Sequence, residues 1–144
     1  MNAYVNQYKS NQIQTASSEQ ILIMLYDGAI RFTRQAMQAM DTGDKTVQSE
    51  KISRTMAIIC EFANTLDHEI GGEIAADLDA LYSFMNRELS KANLKTDRKA
   101  LEVVEELLVG LRETWVEAAK VALIEKHRMT EASVDSETRI HASL

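Results

Sequence analysis

Between Ser17 and Met40 runs a segment that is apolar on almost every side when wound as a helix, and such a helix has to be buried. Ser17 is placed to cap the first turn, and Gln20, three residues on, to return a bond to the Ser17 N–H, the reciprocal arrangement of a capping box. Beyond the cap, Ile21, Leu25, Ala29, Phe32, Ala36 and Met40 recur at steps of three or four, while Leu22, Met24, Tyr26, Ile30 and Met37 fill the flanks. Only the strip carrying Asp27, Arg31, Arg34 and Gln38 suits water.

The rest of the chain repeats the helical theme. Proline is absent from all 144 residues and glycine occurs five times, which favours long uninterrupted helices joined by short turns. The first helix is expected to close at Gly43, with Asp44 capping an antiparallel return. That second helix carries Ile52, Met56, Ile59, Ala63, Leu66 and Ile70 as its seam, and Gly71-Gly72 then interrupts. A third helix presents Ile74, Leu78, Leu81, Met85, Leu89 and Ala92. After the turn Asn93–Asp97, a fourth presents Leu101, Val104, Leu108, Leu111, Trp115 and Ala119. The predicted fold is all-α, an antiparallel up-down-up-down four-helix bundle over residues 15–126.

Two segments stand outside that bundle. Residues 1–14 carry Tyr4, Val5, Tyr8 and Ile13 among polar residues, too apolar for a solvated leader and too irregular for a helix, so they are expected to dock on the bundle. Residues 127–144 have no sustained apolar period and are expected to form a flexible, disordered tail.

Several classes of chemistry are disfavoured. A formal net charge of −6 argues against a phosphate-backbone partner and hence against nucleic acid. No apolar run approaches the roughly 18 residues of a membrane span, and no secretion signal opens the chain, which predicts a cytosolic protein without membrane insertion. None of His68, His127 and His141 has a glutamate three residues before it, so the di-iron pattern of some bundles is missing and no metal or other cofactor is expected. Phosphate loops, nucleophile elbows and Cys-x-x-Cys pairs are likewise missing, so no enzyme is predicted. Cys60, within a helical pattern, reads as a small buried apolar side chain. Asp27 and Arg31 are spaced for an i to i+4 ion pair worth about 0.3–0.5 kcal/mol. Gly28, inside the first helix, either admits a neighbouring helix closely or leaves a notch for a partner.

The helices carry more apolar positions than one seam each requires. Tyr82, Phe84 and Met85 on the third helix and Trp115 on the fourth read first as core, yet Ile58 and Phe62 stand beside the main stripe of the second helix, and Val103, Leu107, Val116 and Leu123 widen the fourth. A small bundle cannot bury two wide faces per helix, so an apolar groove is expected to remain exposed, fit for an amphipathic helix or an extended apolar peptide. The alternative is a homo-oligomeric adaptor or structural bundle that buries the same surface in itself and serves a different client.

Two blocks of sequence resemble a known family. The first is Tyr8, Ile13, Thr15-Ala16-Ser17 and Met24-Leu25-Tyr26-Asp27-Gly28. The second is Gly71-Gly72-Glu73-Ile74-Ala75, Leu78, Leu81-Tyr82, Met85, Arg87, Leu89, Ala92-Asn93-Leu94, Asp97, Leu107-Leu108, Leu111-Arg112-Glu113 and Trp115. Together, in this order and spacing, they resemble the FliS family of flagellar export chaperones. The resemblance implies a helical bundle that binds the disordered C-terminal segment of flagellin, blocks premature polymerisation and holds the client for the flagellar export machinery. It places Tyr8, and with less weight Tyr4, near the client, and the expected contacts are Tyr4, Tyr8, Ile13, Ile58, Phe62, Tyr82 and Met85. Ser18 stands where the family usually has proline, which loosens the start of the helix slightly. Glu88 follows Arg87 where the family often has a second basic residue, which removes a cation from that position.

Overall fold

A computed structural model describes residues 17–142, with side chains as far as residue 138. Four helices follow one another: α1 Ser18–Thr42, α2 Lys45–Asn64, α3 His68–Lys95 and α4 Arg98–Ala142. They fall into two compact units, residues 1–112 and 113–144. The expected segment 1–14 lies outside the described residues.

Each helix end in the first unit has a local cause. Gln20 N–H donates to Ser17 Oγ at 3.2 Å while Ser17 N–H donates to Gln20 Oε1 at 3.0 Å, completing the capping box. Gly43 at φ 75° closes α1 in the left-handed conformation. Asp44 Oδ1 accepts the Val47 N–H at 3.1 Å to start α2. Asp67 Oδ1 accepts the N–H groups of Glu69 and Ile70, and Gly72 at φ 50° and ψ −120° breaks α3 just after its first turn. At the other end of α3, Thr96 is the one non-glycine residue at positive φ, 52°, among those described.

Core residues come from all four helices: Tyr26, Ala29, Ala36 and Met37 of α1, Ile52, Ile59 and Phe62 of α2, Ala75, Tyr82, Met85 and Leu89 of α3, and Leu101, Val104 and Leu108 of α4. Helix α1 packs on α2, and α2 on α3. Helix α4 is tied to α1 by ion pairs in a regular ladder. Arg98 Nε donates to Asp41 at 2.9 Å, Arg34 Nε to Glu105 at 2.8 Å, and Arg112 Nε to Asp27. Moving along the ladder, the α1 position falls by seven as the α4 position rises by seven, and the sign of charge alternates on both helices. The spacing makes α1 and this part of α4 antiparallel, and a slip of one heptad on either helix would set like charges against each other.

The seams differ in detail from those read in the sequence. On α2 the buried stripe is Gln48, Ile52, Thr55, Ile59 and Phe62, because the helix stops at Asn64 and leaves Leu66 in a link and Ile70 in the first turn of α3. Phe62 therefore takes the position expected for the smaller Ala63. On α3, Ile74 is 72% exposed and Leu78 and Leu81 are half-buried, whereas Met85, Leu89 and Ala92 of the same seam are buried. Asp27 pairs with Arg112 across helices instead of with Arg31, and Cys60 is exposed, its Sγ accepting from Asn86 Nδ2 at 3.4 Å.

The second unit corrects the expectation of a disordered tail. Residues 113–142 are helical although every residue from 120 to 138 is exposed. A helix that buries no face needs no apolar period. Ala, Glu, Lys, Arg and Met favour the conformation, and local pairs add to it, among them Lys120–Glu117 at 3.4 Å, His127–Glu131 at 3.0 Å and Arg128–Glu125 at 3.9 Å.

The ladder predicts a reversible defect. Arg34→Glu sets two carboxylates opposite each other and should lower unfolding free energy by about 0.5–1 kcal/mol, and adding Glu105→Arg should restore most of the loss. Denaturant unfolding of the two single variants and the double variant measures the coupling; independent effects would show that the ladder carries no register information.

Candidate functional site

Three of the expected client contacts form the centre of the core. The rings of Tyr26 and Phe62 stack with centroids 4.2 Å apart and planes 20° from parallel, and Tyr82 lies tilted against Phe62 at 5.6 Å. The hydroxyls of Tyr26 and Tyr82 share a hydrogen bond of 2.8 Å, so α1, α2 and α3 meet in a closed aromatic triangle. Burial, and then the bond to Tyr26, pushes the Tyr82 hydroxyl well above the ordinary phenol range. Phe62, Tyr82 and Met85 are at most 3% exposed, so the structure corrects the expectation that they line an open groove in the free chain. The reason is size: large side chains fill the junction where three helices converge.

The other expected contacts are placed differently. Ile58 is half-buried, with its Cδ1 at 3.6 Å from where a Cβ on Gly28 would stand, an ordinary van der Waals distance. Gly28 therefore faces α2 with room for a methyl group. Tyr4, Tyr8 and Ile13 lie outside the described residues.

Of the seam read for α3, Met85, Leu89 and Ala92 are buried, whereas its first part is not. Ile74, Leu78, Leu81 and Phe84 advance in steps of four, three and three and so share one side of the helix. Ile74 and Phe84 are exposed, and the two leucines between them are half-buried. Ile70, 88% exposed, precedes them before the Gly72 break. Ile74 and Leu78 stand eleven residues before Met85 and Leu89 and so continue the buried face toward the start of α3, and periodicity alone could not tell which turns of that seam are covered.

A cleft of about 470 Å³ between α1 and α4 is of another kind. Arg31, Arg34, Gln35, Gln38, Asp27 and Arg112 line its walls together with Ile30 and Val109. Such a cleft suits a charged ligand more than an apolar helix. Among the described residues no helix is long and apolar enough to cross a membrane.

The chain is thus an all-α helical bundle with Ile74 and Phe84 exposed along α3. Residues 1–122 match the family described as flagellar protein FliS, and the chain belongs to that family. It is 35% identical over 127 residues to a flagellar secretion chaperone FliS of Salmonella typhimurium, covering 88% of this chain and 94% of that one. To the FliS chaperone of Campylobacter jejuni it is 37% identical over 116 residues, 81% and 91% of the two chains, and to that of Bacillus subtilis 32% over 120 residues, 83% and 89%. A crystal structure of a flagellar chaperone from bacteria shares the fold with a TM-score of 0.68, at 18% identity, over 80% of this chain and 94% of that chain. The family is one of secretion chaperones.

Buried triangle and exposed stripe should respond differently to truncation. Phe62→Ala is expected to lower stability by about 3–5 kcal/mol, whereas Ile74→Ala and Phe84→Ala should each stay within roughly 0.5–1 kcal/mol of the parent. Thermal melts followed by circular dichroism separate the two; a large loss at Ile74 would place the stripe in the core.

Proposed function

We propose that this chain is a cytosolic flagellar export chaperone whose client is flagellin. It binds the disordered C-terminal segment of flagellin, covers the apolar faces through which that segment packs in a filament, and delivers the client to the flagellar export machinery. The observation that carries the reading is the α3 face Ile74–Leu78–Leu81–Phe84, with Ile74 and Phe84 exposed and the two leucines half-buried, in a chain of the FliS family. Its spacing matches the anchors of a helix-in-groove complex. Tyr4, Tyr8, Ile13 and Ile58 join it as proposed client contacts, while Phe62, Tyr82 and Met85 form the buried layer that holds the helices beneath.

Charge supports a foreign client over a second copy. The first half of α3, from His68 to Asp79, carries Glu69, Glu73, Asp77 and Asp79 and no lysine or arginine. Two such stripes laid face to face would bring two acidic rims together, which is unfavourable. A client without that acidic rim meets no such penalty.

Binding of this type buries apolar surface and orders the client at once. Calorimetry with a synthetic flagellin C-terminal peptide should therefore give a negative heat-capacity change, corresponding to about 1,000–3,000 Å² buried, with favourable enthalpy opposed by ordering entropy. Ile74→Glu and Phe84→Glu should weaken binding at least tenfold, because a charge would be desolvated without a partner. Tyr8→Ala should cost roughly 1 kcal/mol or more of affinity without moving the melting temperature. A folded protein that gives no heat with the peptide, or a heat-capacity change near zero, would reject the reading, and a dimer mass in light scattering would favour the homo-oligomer.

A further inference from the structure

Phe32, half-buried on α1, is ringed by cations. The Arg31 and Arg54 guanidinium carbons lie 5.3 and 5.7 Å from its centroid, and Lys51 Nζ lies 5.4 Å away, so no two of these charges are more than about 11 Å apart. The ring face attracts each cation, which offsets part of their mutual repulsion and keeps the three together. Counter-charge is scarce. Glu50 reaches Arg54 at 3.2 Å, with both side chains about half exposed, and no carboxylate pairs with Arg31 or Lys51 among the described residues. Residues 1–16, which lie outside the described part, contain no aspartate or glutamate that might serve. This is a concentrated positive surface in a chain of net charge −6, and Arg31 continues it into the arginine-lined cleft beside α4.

We propose that this α1–α2 face is a second docking site, distinct from the apolar α3 stripe, and that its occupant is an acidic segment of a partner protein. Carboxylates of that segment pair with Arg31, Lys51 and Arg54, and an apolar or aromatic side chain among them rests on Phe32. Charge complementarity favours this occupant: two of the three cations are unsatisfied, arginine presents a planar fork that matches a carboxylate, and the solvent-facing ring supplies an anchor between them. A nucleic acid also offers anions, but the negative charge of the whole chain opposes a long polyanion more than a short acidic peptide. The docking described here is independent of flagellin binding and needs none of the α3 residues.

The test uses the full chain and three fluorescein-labelled probes: a sixteen-residue peptide of alternating glutamate and leucine, its glutamine counterpart, and a sixteen-nucleotide oligothymidine. Fluorescence anisotropy near physiological salt should show the glutamate peptide binding and the glutamine peptide failing to bind. Affinity for the glutamate peptide should fall as salt rises. The triple variant Arg31→Gln, Lys51→Gln, Arg54→Gln should lose at least tenfold in affinity for that peptide, while the flagellin peptide binds it as before. Lys51→Met, which keeps the aliphatic stem on the ring, should lose several-fold and guards against a triple variant that fails to fold. Equal binding of the two peptides, or no loss in Lys51→Met, would overturn the proposal. So would oligothymidine binding as tightly as the glutamate peptide, which would make the face a polyanion site. A concentration-dependent mass in light scattering that both variants abolish would give the face to the acidic half of α3 in a second copy, and would overturn it too.

Discussion

Everything on the surface of this bundle is arranged around the contact of three rings. Tyr26, Phe62 and Tyr82 come from three different helices and are nearly or fully buried, and the hydrogen bond between the two hydroxyls satisfies polar groups that would otherwise oppose burial. Once those rings occupy the junction, the rotation of α2 and α3 about their own axes is set. Ile52 and Ile59 must then face inward on α2, and Met85 and Leu89 on α3. The same rotation turns Phe84, next to Met85 in sequence, outward. The exposure of Phe84 is thus a consequence of which large side chains won the centre.

The fourth helix is placed by a different kind of interaction. Leu101, Val104 and Leu108 supply its buried area, but leucine and valine at helical spacing tolerate a slip along the axis. The alternating ladder Asp41–Arg98, Arg34–Glu105 and Asp27–Arg112 does not. Individually such exposed pairs stabilise by only about 0.2–1 kcal/mol, yet a shifted register would convert attractions into repulsions, so their weight falls on orientation and alignment more than on stability.

The helix boundaries were legible because they depend on chemistry local to the chain. The Ser17–Gln20 box, Gly43 and Asp44 each act within four residues and stand where the sequence places them, whereas the second helix ends at Asn64 and Gly72 kinks the third helix instead of separating the two. Helix faces were legible only in part. Ile74, Leu78 and Leu81 fall on the same helical seam as Met85, Leu89 and Ala92, and a period does not tell which turns of a seam the neighbouring helices cover. The ladder escaped for a similar reason: Asp27 has a suitable partner in Arg31 one turn away, and the competing Arg112 is distant in sequence. Residues 127–142 escaped because the absence of an apolar period was read as the absence of a helix, whereas propensity and local pairs suffice for one that buries nothing.

Charge is segregated on this molecule, and the segregation fits an exposed apolar face. An uncovered stripe of isoleucine, leucine and phenylalanine invites association with any similar surface, the copies of the chain itself included. Here the first half of α3 is uniformly acidic, so copies approaching stripe to stripe repel, while the cations gather around Phe32 on α1 and α2. Repulsion between copies acts at the range of a Debye length, about 8 Å, before apolar contact begins, so it filters encounters without weakening the contact with a client that lacks acidic residues. An apolar surface of this kind can stay open in the free chain and still bind when the right segment arrives, which is the physical requirement on a protein that must hold its client and later let it go.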